Sequence, residues 1–202
     1  MASLSPRERI VRSAAQLIRR HGVTGTGMRD IVADADAPRG SLQHYFPDGK
    51  DQIVSEALLF MGEAAGRRTQ RALEKANKRS PSALFAAIVA KWKEELLDEG
   101  YVAGCPLVAA AADVVATNSE LREVIARAFD KWQDPLAAAL VETGIPRRRS
   151  EELAVLVITA LEGAIILARI RHDTSPLDLV VRQLSPLLDV AASPPALRRL
   201  DR

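Results

Sequence analysis

Thr26-Gly27-Met28-Arg29-Asp30-Ile31-Val32, then Arg39-Gly40-Ser41-Leu42-Gln43-His44-Tyr45-Phe46 and finally Lys50, is the segment from which the rest of the chain can be interpreted. Thr26 is suited to cap a short helix that turns Ile31, Val32 and Ala35 inward. Asp34-Ala35-Asp36-Ala37-Pro38 breaks that helix. A third short helix is expected over about residues 38–45, with Leu42 and Phe46 as its inward anchors, and Phe46-Pro47-Asp48-Gly49 reads as a turn. Upstream, Ser5-Pro6-Arg7-Glu8 is a capping-box start with proline at the first helical position. Ile10, Ala14, Leu17 and Ile18 then share one face, and Gly22 ends the helix after the cationic turn Arg19, Arg20, His21. Three short helices, the last two joined by a tight turn, describe a helix-turn-helix unit.

Further along the chain of 202 residues the periodicity stays helical, and no alternating strand pattern persists. An all-α protein of about nine helices is therefore expected. A long helix should run over about residues 50–77, followed by helices near 82–99, 106–117, 120–143, 147–171 and 176–192. The breaks between them are rich in Gly, Pro, Ser, Thr and Asn. Asn118 or Ser119 is suited to cap the helix that follows it, and Ser175-Pro176 repeats the cap-then-proline start. The expected division is a helix-turn-helix domain over 1–50 and a larger helical domain over 51–202. Residues 153–168 form the most apolar stretch, but Thr159, Glu162 and Gly163 interrupt it and it is short for a membrane span, so it reads as a buried helix. The opening residues Met1 to Arg12 are polar and hold no apolar run of signal-peptide length, so a cytoplasmic protein with no membrane partner is expected.

Composition narrows the function classes. Cys105 is the only cysteine, so no disulfide can form within one chain and no cysteine-based zinc cluster can be built. His21, His44 and His172 are too far apart for a local metal motif, and neither metal nor cofactor is implied. Aromatic residues make up 4%, too few for stacking platforms along single-stranded nucleic acid. No nucleophile elbow, phosphate loop, paired-carboxylate motif or zinc spacing appears, so an enzyme is not expected. The net charge of +2 is uneven: the first fifty residues hold eight lysines and arginines against five acids, and the rest is close to neutral. A small basic head on a neutral body suits a polyanion-binding unit.

The quoted block, a capped helix followed by R-G-S-L-x-x-Y-F and a Lys that opens a long fourth helix, resembles the DNA-binding domain of the TetR family of transcriptional regulators over about residues 5–58. Phe46-Pro47-Asp48-Gly49-Lys50, Gly104-Cys105-Pro106-Leu107 and Leu161-Glu162-Gly163-Ala164 look most like the LmrA/YxaF subgroup. The resemblance implies a ligand-released repressor: three N-terminal helices on a double-stranded DNA operator, and the remaining helices holding a small-molecule inducer and a homodimer face. Three positions depart from the family pattern. Asp36 stands where Gly is usual and tolerates the left-handed conformation. Pro38 stands where Ser is usual, and Gln43 replaces a Tyr that commonly touches phosphate.

Candidate DNA contacts follow from the chemistry. Gly40 and Ser41 would let the third helix lie deep in the major groove, Gln43 can pair with adenine, and Arg39 with guanine or phosphate. His44, Tyr45 and Lys50 sit where backbone contacts position the domain. Thr24, Thr26 and Arg29 flank the start of the second helix, where free N–H groups suit a phosphate. A structural helical hairpin with no DNA partner, or a helical interaction module, is the alternative. In the body, a largely apolar pocket is expected from Met61, Phe85, Trp92 and Leu96 with Phe129, Trp132, Leu136 and Glu162. Thr159 and Asp113 are further polar candidates, and each of the pocket residues taken singly reads first as an ordinary core residue. Cys105 reads as a small structural residue at a helix start, since no basic neighbour lowers its pKa. The basic run Arg67, Arg68, Arg71, Lys75, Lys78, Arg79 reads as a solvated face. Val155, Leu156, Ile166 and Ile170, with Leu177, Val181, Leu184 and Leu188, exceed what one core face needs and are the expected dimer contacts, with Gly163 permitting close helix approach.

Overall fold

A computed structural model describes residues 4–38, 40–75 and 80–193, with Ser41 described by its backbone alone. Helix α1 (Pro6–His21) begins as its sequence dictates. The Ser5 hydroxyl accepts the Glu8 amide at 3.2 Å while the Ser5 amide donates to the Glu8 carboxylate at 2.9 Å. Those bonds hold the Glu8 carboxyl below its ordinary value, so the cap is complete near neutral pH and is lost as pH falls through that lowered value. Helices α2 (Met28–Asp34), α3 (Ser41–Tyr45), α4 (Lys50–Lys75), α5 (Pro81–Asp98) and α6 (Pro106–Val114) follow. Helices α7 (Ser119–Glu142), α8 (Arg147–Arg171) and α9 (Ser175–Ala192) complete the nine among the described residues, which contain no strand.

Four local expectations are corrected. Thr26 does not cap α2: its hydroxyl donates to the Gly22 carbonyl at 2.6 Å and its side chain is buried, leaving Gly27 at the cap position. Among the described residues, α3 starts at Ser41 rather than at residue 38. Helix α6 stops at Val114 because the Thr117 and Asn118 amides both return to the Val114 carbonyl, at 3.1 and 2.9 Å; the Asn118 side chain then caps α7 by accepting the Leu121 amide at 2.9 Å. Helix α9 starts at Ser175 with Thr174 at the cap position and no side-chain cap bond; the Ser175 amide donates to the Asp173 carboxylate at 3.0 Å.

The helices group into two compact units. One comprises residues up to Ala64 with Gly104–Lys131, the other Ala65–Ala103 with residues from Trp132 on. Helices α4 and α7 are each shared, contributing one half to either unit. In the first unit, α1 packs on α2 and α6 around Ile10, Ala14, Ile18 and Ile31, all fully buried. Helices α4 and α7 approach there at Gly62, where a Cβ would run into the Ala128 backbone carbonyl, so only glycine fits. In the second unit, α9 packs on α5 and α8 over Leu84, Leu140, Leu153, Leu161 and Leu177, all buried. Each such side chain contributes about 1.5–3 kcal/mol by leaving water. Helix α8 is long and apolar enough to cross a membrane by length and composition. Its inner face, Leu153, Val157, Leu161, Ala164 and Ala168, recurs every three or four residues and is buried, which makes it a core helix of this unit.

Candidate nucleic-acid interface and ligand cavity

The turn between α2 and α3 is held by α1. The Arg9 guanidinium donates to the carbonyls of Ala35 at 2.9 Å and Asp36 at 2.8 Å. Asp36 takes the left-handed conformation, φ 47°, as its side-chain type allows, and the Ala37 amide returns to the Val32 carbonyl at 3.1 Å. The Ser13 hydroxyl donates to the Ile31 carbonyl at 3.0 Å, a buried link from α1 to α2. Beyond α3, Phe46 is fully buried beneath the Arg7 guanidinium, which lies 5.3 Å from its ring and pairs with Glu56 at 2.6 Å; Leu42 is half-buried. Phe46 thus anchors α3 as expected.

This anchoring leaves one side of α3 to solvent. Gln43 and His44 are exposed, Gly40 faces open space, and the Tyr45 ring stands edge-on to His44 with centroids 4.8 Å apart. Arg29 is exposed on α2. Arg39 lies outside the described residues, and Ser41 is placed by its backbone in the first turn of α3. The remaining candidates are engaged within the protein. The Lys50 ammonium donates to the Val23 carbonyl at 2.7 Å. Thr24 is exposed, but Asp113 of α6 accepts both its amide and its hydroxyl, each at 3.1 Å. Asp113, a polar candidate for the ligand pocket by sequence, instead belongs to the first unit and faces the Gly22–Thr24 turn. No local signal could have found that contact, since 89 residues separate the partners.

In the second unit a cavity of about 460 Å³ opens between the later part of α4, α5 and Trp132 of α7. Its origin is the sequence of small residues on facing stripes: Ala65, Thr69 and Ala72 on α4 against Ala87 on α5 leave space that no side chain fills. Trp92, Trp132 and Ile88 line its apolar part. Thr69 offers no free donor, because its hydroxyl donates to the Ala65 carbonyl at 3.3 Å. Arg68, Arg71, Lys75, Lys91 and Glu95 supply the charged lining, with Arg68 on Glu95 at 2.9 Å and 5.9 Å from the Trp92 ring.

Of the eight residues expected at a pocket, Trp92 and Trp132 line this cavity. Phe85, Leu96 and Leu136 are fully buried in the core of the same unit, and Glu162 is buried on α8. Met61 and Phe129, both half-buried, belong to the first unit, and Thr159 is exposed on α8. The cavity residues that composition hid are Arg68, Arg71 and Lys75, which read as part of a solvated run; their spacing puts them on one stripe with Ala65 and Ala72, which was the available signal.

Val155, Leu156, Ile166 and Ile170 are exposed along α8, Ile170 by 72%. Thr159 and Gly163 lie between them on the same side, and a Cβ at Gly163 would meet nothing. On α9, Val181 and Leu184 are half-buried, whereas Leu177 and Leu188 are fully buried against their own chain, because α9 turns that stripe onto α5 and α8.

Comparison with known proteins agrees with this architecture. Residues 10–57 match the bacterial regulatory proteins of the tetR family, and residues 81–183 match the C-terminal domain of LmrA/YxaF-like transcriptional regulators. An uncharacterized HTH-type transcriptional regulator of Mycobacterium tuberculosis is 44% identical over 190 residues, covering 91% of this chain and 94% of that protein. The uncharacterized HTH-type transcriptional regulator YxaF of Bacillus subtilis is 28% identical over 182 residues, covering 90% and 94%. The crystal structure of the regulatory protein TetR from Rhodobacter sphaeroides shares the fold, with a TM-score of 0.77 at 19% identity over 90% of this chain and 97% of that one.

Proposed function

Because the chain belongs to the TetR family of helix-turn-helix transcriptional regulators, we propose that it is a cytoplasmic, ligand-released repressor that binds a palindromic operator as a homodimer and senses a small, largely apolar molecule. In this reading residues 1–50 bind DNA, and residues 51–202 bind the ligand and pair the two chains. The observation that carries it is α3: buried at Phe46, braced through Arg9, and presenting Gly40, Gln43 and His44 to solvent. Gln43 would read adenine and Arg39 guanine or phosphate, while Ser41, His44, Tyr45 and Arg29 touch the backbone. Lys50, Thr24 and Thr26 are held by internal hydrogen bonds, so their part would be chiefly to set the position of α3 and of the turn before α2.

The exposed apolar stripe of α8 supports the pairing of two chains, since leaving Val155, Leu156, Ile166 and Ile170 in water is unfavourable. Half-buried Val181 and Leu184 would extend the contact, and buried Leu177 and Leu188 would hold α9 in place beneath it. Two recognition helices about 34–36 Å apart would then read successive major grooves. Helix α4 begins at Lys50 and later carries Arg68, Arg71 and Lys75 of the cavity wall, so a ligand that prefers one conformation of this helix would change operator affinity, and DNA would change ligand affinity equally.

The test is selection of bound fragments from genomic DNA with the full-length protein, then gel shift of the enriched site. An inverted repeat is expected, bound by a species that light scattering measures as a dimer at micromolar concentration. Gln43→Ala should cost about 1–3 kcal/mol and relax the sequence preference, and Arg39→Ala should weaken binding with a shallower salt slope. Enrichment of no inverted repeat, or a monomer in solution, overturns the reading.

A further inference from the structure

The cavity combines an apolar floor with a rim of predominantly one charge. Trp92 and Trp132, the two tryptophans of the chain, lie on the floor with Ile88. Arg68, Arg71 and Lys75 recur along α4 at steps of three and four residues, one helical stripe, and Lys91 lines the cavity from α5 but is paired with Glu94 at 2.8 Å. Among the described residues Glu95 is the one carboxylate in the lining, and Arg68 already binds it at 2.9 Å. Arg71 and Lys75 make no ion pair among the described residues. A solvated basic run in the same unit is built differently. In the first turns of α8, Arg147 pairs with Glu151 and Arg148 with Glu152, each acid four residues on. On α4 the residue four after Arg71 is Lys75, a like charge, and Glu74, three after Arg71, makes no ion pair with either among the described residues, so the pairing is unfavourable unless something negative sits beside it.

The occupant must satisfy both parts. A neutral flat molecule would cover the tryptophans and leave the like charges opposed, while an inorganic ion would meet the cations and leave the apolar floor wet. Resting on the small-molecule reading above, we infer that the cavity takes a small organic anion: a flat apolar body over Trp92 and Trp132 carrying one acidic group that binds Arg71 and Lys75. The size fits, since cavities of roughly 300–1,000 Å³ bury most of a drug-sized ligand. The acidic group makes charge-assisted hydrogen bonds, which are about twice as strong as neutral ones and still partly screened by salt.

Two fluorescent probes test this on the full-length protein. 8-Anilino-1-naphthalenesulfonate and N-phenyl-1-naphthylamine share a skeleton and differ by the sulfonate. The anion is expected to saturate at one per chain, to accept excitation energy from the tryptophans, and to bind at least about tenfold more tightly than the neutral probe. Added salt and the double variant Arg71→Gln with Lys75→Gln should both bring that ratio toward one. Ala72→Trp, which fills the cavity, should abolish binding of both probes, with thermal melting confirming that the variant is folded. Equal affinities, a ratio untouched by the double variant, or anion binding that survives Ala72→Trp would overturn the inference. If in those cases the neutral probe still saturates and is lost in Ala72→Trp, the small-molecule reading stands without the anion. Binding of neither probe by protein that still shifts its operator overturns both.

Discussion

The helix-turn-helix region and the cavity between α4 and α5 use the same side-chain type in opposite ways. Around the helix-turn-helix, cations are turned onto backbone carbonyls: Arg9 on Ala35 and Asp36, Lys50 on Val23, and buried Arg19 on Gly104 at 3.0 Å. Around the cavity, Arg71 and Lys75 are exposed and meet no carbonyl or carboxylate among the described residues. A cation that satisfies an internal carbonyl holds the chain in shape, and removing it leaves a polar group unpaired. A cation beside an unfilled space contributes little to folding and is available to something else.

The contrast can be broken by stability measurements. The largest effect is expected at Gly22, in the turn that Asp113 holds. Its backbone, φ 72° and ψ 179°, lies where almost only glycine is found, and a Cβ there would collide with the Asp113 carboxylate. Gly22→Ala should cost about 3 kcal/mol in urea unfolding, part of it backbone strain and part the lost bonds to Thr24. A cost below about 1 kcal/mol would mean that the turn is not held as described. Next comes Arg19→Met, which keeps most of the buried volume and removes the donor to Gly104; about 2 kcal/mol is expected, with the unfolding midpoint falling at unchanged slope. The smallest effect belongs to Arg71→Gln with Lys75→Gln: within about 0.5 kcal/mol of wild type, and stabilising if like-charge repulsion on α4 dominates. A loss comparable to that of Arg19→Met would erase the distinction between the two regions.

Legibility in the sequence followed the range of the interactions. The capping box at Ser5, the stop at Gly22, the left-handed Asp36, the anchor Phe46 and the buried stripe of α8 depend on neighbours within a few residues or on helical period, and all are present. Thr26 misled because a threonine hydroxyl ahead of an apolar run can either accept an amide of the helix that follows or donate to a carbonyl behind it, and here it donates back to Gly22. Phe85, Leu96 and Leu136 misled for a different reason: large apolar side chains look alike whether they line a space or fill one.

The order of local signals along the chain was enough to establish an all-helical protein with a helix-turn-helix head and a short, exposed α3, because capping, turn chemistry and amphipathic period act over one or two helical turns. Which residues surround empty space was decided in three dimensions. A cavity is an absence created jointly by Ala65, Ala72 and Ala87 on helices separate in the chain, and the contact of Asp113 with Thr24 likewise exists only after folding brings α6 against the turn behind α1. Short-range energies are written along the polymer; volume and long-range charge pairing belong to the packed chain.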